Sequence, residues 1–549
     1  MGNTLEMNLY IQKSIPFKDI LVKKPPDINP FSYWNLLYFV HLINFLPSIN
    51  KKFRSNHGYV NLYSKLLQKV TPNYKSYINY LIENDIIEAN NKYSNQKRFS
   101  KSYRISSTYK KSLITEVIVT NSKSSRTLKK YGEGVFDIDK RRVMKECRHL
   151  IRHFNYLDYD VPSALAYLSK IQAGVSYLND LYDDVYFIQR RNEIAIAGYK
   201  IARKEFRFKL DNSSGRFHTL LTSLKSEFRH FLSYKGQHLI SLDIKSSQPY
   251  LSQIFLKEQF WSLKPSTRST KVVNSGLGSH TVGVSRELYS NNTLIPLIHL
   301  SIGDIIPRLP SRERKIINKI AQAVHMLFNT MDDTENESIK FFRNMLNNED
   351  IYNYLAVVIA NLLDSDMAIK ALYDAEPFPI DRSNMKVLTL IAMYAPVESK
   401  RPLTVLSQQV FQLHFPGPTK IFNIIKSVSP KNYRILALIL QAVEAELILN
   451  RVTKKIIRYG GPSVPFFTIH DSIMTLPKHA ELVRTLMKTE LESHIGYEPE
   501  IKLEDYSQKS LKSKPLPKLQ PKSHNTYTLG TLLVDGDDII GDTGYYDEL

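Results

Sequence analysis

Asp243, in "LISLDIKSSQPYL", and Asp471, in "PFFTIHDSIMT", each stand at the end or turn of an apolar, strand-like run. A carboxylate in such a place is costly unless it has a partner. Two of them, more than two hundred residues apart in the chain, suggest a pair that the fold brings together around divalent metal. Mg²⁺ is commonly held by one or two carboxylates, with substrate phosphates and water completing its shell. The chemistry open to such a pair is nucleotidyl transfer, in which two ions about 4 Å apart hold the attacking and leaving oxygens.

A second set of residues suits the same chemistry. Arg382, Lys386 and Tyr394 lie four and then eight residues apart. On a helix, such steps keep side chains along one face, drifting roughly 40° for every four residues. An arginine there can grip phosphate through its two-pronged fork. A lysine can neutralise a triphosphate and donate a proton to departing pyrophosphate, a role worth about 10²–10⁴-fold. A tyrosine offers a flat face to a base. Taken alone, the three residues equally describe an amphipathic helix with exposed cations.

The segments that would position these side chains follow a definite order. "SSGRFHTLLTSLKSEFRHFL" (213–232) precedes Asp243, and "NEDIYNYLAVVIANLL" leads to "IDRSNMKVLTLIAMYAP" (380–396). "NYRILALILQAVEAELILNRV" (432–452) then leads to His470–Asp471. In this order and spacing, residues 210–505 resemble the palm and fingers of family A DNA polymerases and of the related single-subunit phage-type RNA polymerases. The resemblance implies an α+β right-hand fold, with an antiparallel palm sheet and helical fingers.

It also implies roles. Asp243 and Asp471 are the expected metal ligands, with the carbonyl of Ile244. Arg382, Lys386, Tyr394 and Gln248 are expected around the incoming nucleoside triphosphate, and His470 near the primer 3′ end. Arg216 matches an arginine that contacts the primer–template minor groove, and Gln441 a glutamine that touches template; Arg229 is expected to be structural or to meet phosphate. The expected cofactors are two Mg²⁺ ions, with Mn²⁺ able to substitute. The expected partners are a DNA primer–template, with RNA as the alternative, and nucleoside triphosphates.

The product is read from two positions that disagree. The DNA enzymes usually carry Glu five residues after the first aspartate, where it blocks a ribose 2′-hydroxyl, and the RNA enzymes carry Gly. Gln248 is nearly isosteric with Glu and can hydrogen-bond Tyr394. Ser472, after His470–Asp471, follows the RNA pattern instead. Side-chain volume at 248 bears directly on the sugar, which favours DNA synthesis. The chain departs from the family at Ala395, where Gly is usual, at Pro249, and in the spacing between motifs. These departures suggest a divergent branch, from a phage, plasmid or other mobile element. An RNA polymerase or primase on the same palm and a non-catalytic DNA-binding replication or transcription regulator are the alternatives.

The rest of the 549 residues divides by composition. After an N-terminal extension (1–56), residues 57–108 read as a winged-helix-like domain: a short helix, a helix over 74–83, then strand, basic turn and strand. Asn73, Lys75, Ser76, Lys97 and Arg98 are its candidate DNA contacts, with Thr71 the expected N-cap of the second helix. Residues 109–209 read as a helical thumb-like or linker region. "FDID" (136–139) lacks the further carboxylates that a proofreading exonuclease needs, so none is expected. Residues 262–292 read as an exposed loop, and 506–549 as a disordered Lys/Pro-rich linker and acidic tail.

Net charge is +21, and six acidic residues near the C-terminus leave about +27 on the remainder, which favours a polyanionic partner. Cys147 is the single cysteine, excluding disulfide frameworks and cysteine-based zinc sites. Neither a signal-peptide core nor a membrane-spanning apolar run is legible, so a cytoplasmic protein is expected.

Overall fold

The computed structural model describes residues 7–49, 53, 58–90, 100–121, 123–128, 140–174, 184–266, 299–428 and 433–513. It is a mixed α+β structure with small antiparallel sheets. Lys97, Arg98, the "FDID" segment, most of the 262–292 stretch and the acidic tail lie outside the described residues.

The main apolar core of the N-terminal part runs from Met7 to Leu128. Strand Met7–Gln12 pairs antiparallel with Ile114–Val119. Helix Tyr33–Ile49, apolar along most of its length, is buried against them. Helices Ser64–Val70 and Tyr74–Glu83 follow, with a three-stranded sheet in which Ser102–Ile105 lies between Val60–Asn61 and Ile87–Asn90. Leu37, Leu67, Leu81, Ile105 and Val119 share this core, so the helices and strands of 57–108 are continuous with the extension before them and the strand after them. Thr71 does not cap Tyr74–Glu83: it ends the preceding helix, its N–H bonded to the Leu67 carbonyl. Asn73 takes the N-cap position without a side-chain cap bond, and its amide Nδ2 donates to the Asn29 carbonyl.

The sheet that carries both aspartates has four antiparallel strands, in the order Phe466–Ile469, Ser472–Thr475, Ile240–Ile244, Ile501–Asp505. Alternation sends Leu242, Ile244 and Ile473 into the largest core and Phe467, Ile469 and Met474 into another. Helix Ala480–Ile495 covers the first face with Val483, Met487 and Leu491. The second core also takes in Leu168 and Ile194 of helices Val161–Gly174 and Asp184–Ala202. A block of helices between Ser311 and Ser427 completes the first, among them Ile351–Ser365, Arg382–Tyr394, Pro402–His414 and Pro416–Ser427. The chain stays packed beyond 505, contrary to the expected linker. Tyr506 is buried with its N–H on the Leu239 carbonyl, and helix Gln508–Ser513 buries Leu511.

Candidate functional site

Strand pairing brings the two aspartates together. Asp243 lies directly opposite Ser472, the residue after Asp471. Ile469 pairs with Ser472, so His470 and Asp471 form a two-residue turn beside the end of the central strand. His470 has φ +53°, a left-handed conformation uncommon outside glycine. Strain of this kind persists only where the surroundings fix it, and it clusters at functional sites. The His470 ring is edge-on to His218 at 5.7 Å. Ser472 Oγ donates to the Ile469 carbonyl at 2.9 Å, closing the turn.

The backbone between the aspartates is also aimed at the turn. Lys245 N–H donates to the Glu500 carbonyl, and Tyr506 N–H to the Leu239 carbonyl. Odd-numbered residues of the central strand therefore bond the outer strand, and antiparallel alternation directs the N–H and C=O of Ile244 the other way, towards Asp471. Asp243, the Ile244 carbonyl and the Asp471 turn thus lie side by side at one end of the sheet. Among the described residues no group of three or more His, Cys, Asp or Glu side chains could hold a metal ion.

Behind the turn runs a buried polar chain. Helix Ile435–Ala445 continues as a π-helical segment, Glu446–Val452, and then as helix Thr453–Gly460. Such segments are rare and frequent at functional sites. Glu444, in the last α-helical turn before it, is fully buried. Arg216 Nε donates to its Oε1 at 3.0 Å, and Arg216 Nη2 to its Oε2 at 2.8 Å. Gln248 Nε2 also donates to Oε2, at 2.9 Å, and Tyr394 donates its hydroxyl proton to Gln248 Oε1 at 2.6 Å. An ionised carboxylate accepts only, so Glu444 dictates which end of the Gln248 amide faces Tyr394. Burial holds the Glu444 carboxyl above the usual range; Arg216 opposes this and the negative charge of Asp471 adds to it. The last effect puts the chain within electrostatic reach of Asp471.

Arg216 comes from a tight hairpin between Lys209–Leu210 and Phe217–His218. Asp211 accepts from the backbone and hydroxyl of both Ser213 and Ser214, and Gly215 turns the chain at φ +71°. Burial pushes the Asp211 carboxyl up, but these hydrogen bonds outweigh it and leave the group below its ordinary value. Arg216 is 3% exposed and committed to Glu444. Its expected place against a minor groove is therefore replaced by an internal one. Arg229 is likewise buried, on the Leu224 carbonyl and the Tyr506 hydroxyl.

Helix Arg382–Tyr394 spans from solvent to this chain. Asp381 caps it, accepting from the N–H of Asn384. Arg382 is half-exposed: its Nε donates to Asp350 Oδ2 at 2.8 Å and its guanidinium lies 5.1 Å over the Tyr352 ring. Both Nη groups have no partner among the described residues. Lys386, one turn on, is half-buried, and Tyr394 is buried at the far end. Gln441 is half-buried three residues before Glu444. In the N-terminal part, Asn73, Lys75 and Ser76 are exposed at the start of helix Tyr74–Glu83.

Of the residues singled out in the sequence, the structure gathers Asp243, Ile244, Asp471, His470, Gln248, Tyr394 and Arg216 at one end of the sheet. Glu444 was missed. A glutamate inside "ILALILQAVEAELIL" was its signal, since a carboxylate on so apolar a helix needs a partner. No protein-family model matches the chain, and no curated protein sequence matches it.

Proposed function

We propose that this chain is a template-directed nucleotidyltransferase, a DNA-directed DNA polymerase with a family A-like palm and fingers. One observation carries the reading. The Tyr394–Gln248–Glu444–Arg216 chain ties the helix bearing Arg382 and Lys386 to Gln248, on the short helix that follows the strand of Asp243, and to Glu444, whose carboxyl feels the charge of Asp471. The elements that carry the phosphate-binding cations and the metal-binding carboxylates are thereby packed together, as transfer of a nucleotidyl group requires.

Asp243, Asp471 and the Ile244 carbonyl fit hard divalent cations that share their remaining positions with water and substrate phosphates. Bound there, Mg²⁺ would supply charge neutralisation and an acidified attacking hydroxyl. The protein's own groups do the rest. The free fork of Arg382 grips the triphosphate, and Lys386 neutralises it and hands a proton to the leaving group. Tyr394, held by Gln248, forms the wall against the sugar and base. His470, fixed in its turn, faces the primer end.

Gln248 fills the position of the sugar gate and keeps the hydrogen bond to Tyr394, which favours deoxynucleotides. Ser472, the residue that pointed to RNA, has a local task in closing its turn. Its hydroxyl therefore says little about the sugar. The helices and three-stranded sheet of residues 60–105 act as a winged-helix module that meets DNA through Lys75 and Ser76, in keeping with an element that recognises its own origin or terminus. The test is primer extension with dNTPs and NTPs in parallel, with and without primer. Primer-dependent dNTP incorporation is expected; de novo NTP incorporation would make the chain an RNA polymerase or primase.

A further inference from the structure

Lys426 has no part in the chemistry above, yet it is 1% exposed on helix Pro416–Ser427. Lysine is almost never fully buried without a partner. Its Nζ donates to the carbonyls of Ala392 and Ala395, each at 3.2 Å. Both belong to the C-terminal end of the Arg382–Tyr394 helix, where carbonyls lack intrahelical partners.

The sequence explains why a side chain is needed there. The Ala392 carbonyl would ordinarily accept from the N–H of residue 396, but residue 396 is proline, which has none. At 395, where the resembling family has glycine, this chain has alanine in an extended conformation, φ −67° and ψ 156°. The helix thus ends without the left-handed turn that commonly satisfies final carbonyls. Lys426 fills the gap from a neighbouring helix, and Gln408 Nε2 holds the next carbonyl, that of Pro396, at 2.8 Å.

We propose that Lys426 is a positioning residue: it stands in for the missing Pro396 N–H, closes the last turn of the Arg382–Tyr394 helix and so keeps Tyr394 on Gln248, at the wall of the nucleotide site. This rests on the nucleotidyl-transfer reading given above. Burial alone lowers the lysine's titration to about 7. Of the charged groups on helices packed round it, Glu335 pairs with Lys420, His414 with Tyr354, His325 with Glu258 and Glu444 with Arg216, and none forms an ion pair with Lys426 among the described residues. Burial is thus what opposes its charge.

Two readouts on the full chain test this, with Lys426→Met, which removes the donor, and Lys426→Gln, which keeps a neutral one. The first is hydrogen exchange of the segment 388–397. Protection is expected to fall about tenfold or more in Lys426→Met, the scale of one lost charge-assisted hydrogen bond, and to be partly restored in Lys426→Gln. The second is the dNTP KM between pH 6 and 9. The wild type is expected to show an inflection near 7 that both variants lose, with KM raised in Lys426→Met and kcat changed less. Unchanged exchange in a folded Lys426→Met variant overturns the clamp. Altered exchange with an unchanged KM and pH profile overturns the positioning role. Absence of any nucleotide incorporation by the wild type counts against the polymerase reading instead, and leaves the exchange result to decide the clamp.

Discussion

Arg216 and Glu444, 228 residues apart in the chain, form a two-pronged ion pair buried behind the turn that carries Asp471. Their side chains are 4% and 1% exposed. Breaking such a pair strands a charge, whereas replacing both partners by apolar groups is often tolerated.

Arg216→Ala is therefore expected to destabilise the protein by about 3–5 kcal/mol in denaturant unfolding. The double variant Arg216→Met/Glu444→Leu is expected to recover most of that stability. It is not expected to recover nucleotide selection, because Gln248 then loses the acceptor that orients its amide. A double variant that discriminates between dNTPs and NTPs like the wild type would make the pair purely structural.

Gln248→Gly removes the partner of Tyr394 and, on the proposed function, the bulk against the sugar. Ribonucleotide incorporation is expected to rise about tenfold or more relative to dNTPs, within the range over which pocket contacts discriminate substrates. An unchanged ratio in single-nucleotide incorporation would mean that residue 248 is not the gate.

Lys426 predicts a pH dependence of stability. Its titration is lowered from 10.5 to about 7 in the folded chain. The unfolded chain therefore binds the extra proton between those values, and folding is favoured as pH rises through them. Relative to Lys426→Met, the wild type should gain stability from pH 7 towards pH 10, at up to roughly 1.4 kcal/mol per pH unit. It should lose that increment as pH falls back to 7. Parallel urea curves for the two proteins across this range provide the check.

Lys75 is exposed at the start of helix Tyr74–Glu83, the helix that a winged-helix module would set in the major groove. Lys75→Ala is expected to weaken DNA binding about equally across sequences and to reduce the salt slope of binding by about 1. Ser76→Ala should leave the slope unchanged. Titrations at several salt concentrations separate these outcomes.

What could be read from the chain and what could not differ in physical kind. The strands that end at Asp243 and at the Asp471 turn were legible as apolar runs, and the structure pairs them. The Gln248–Tyr394 hydrogen bond followed from residue types once the order of motifs was recognised. The partners of Glu444 and Lys426 were not legible. Each is a charged group on an amphipathic or apolar helix whose partner lies on another element, and sequence spacing does not encode contacts between elements. Arg216 was located but turned the wrong way, since its role depends on Glu444. The boundaries at 57 and 506 failed for a related reason: Leu37, Val119 and Tyr506 look like ordinary apolar residues until the cores they join are known.

The pairing of Asp243 with the Asp471 turn is the centre of the account, and single-nucleotide primer extension with Asp243→Ala and Asp471→Ala tests it most directly. With Mg²⁺ supplied, the wild type is expected to extend the primer. Each variant is expected to lose incorporation by several orders of magnitude while binding primer–template as the wild type does. Extension at the wild-type rate by either variant would contradict the assignment of these two carboxylates to the reaction.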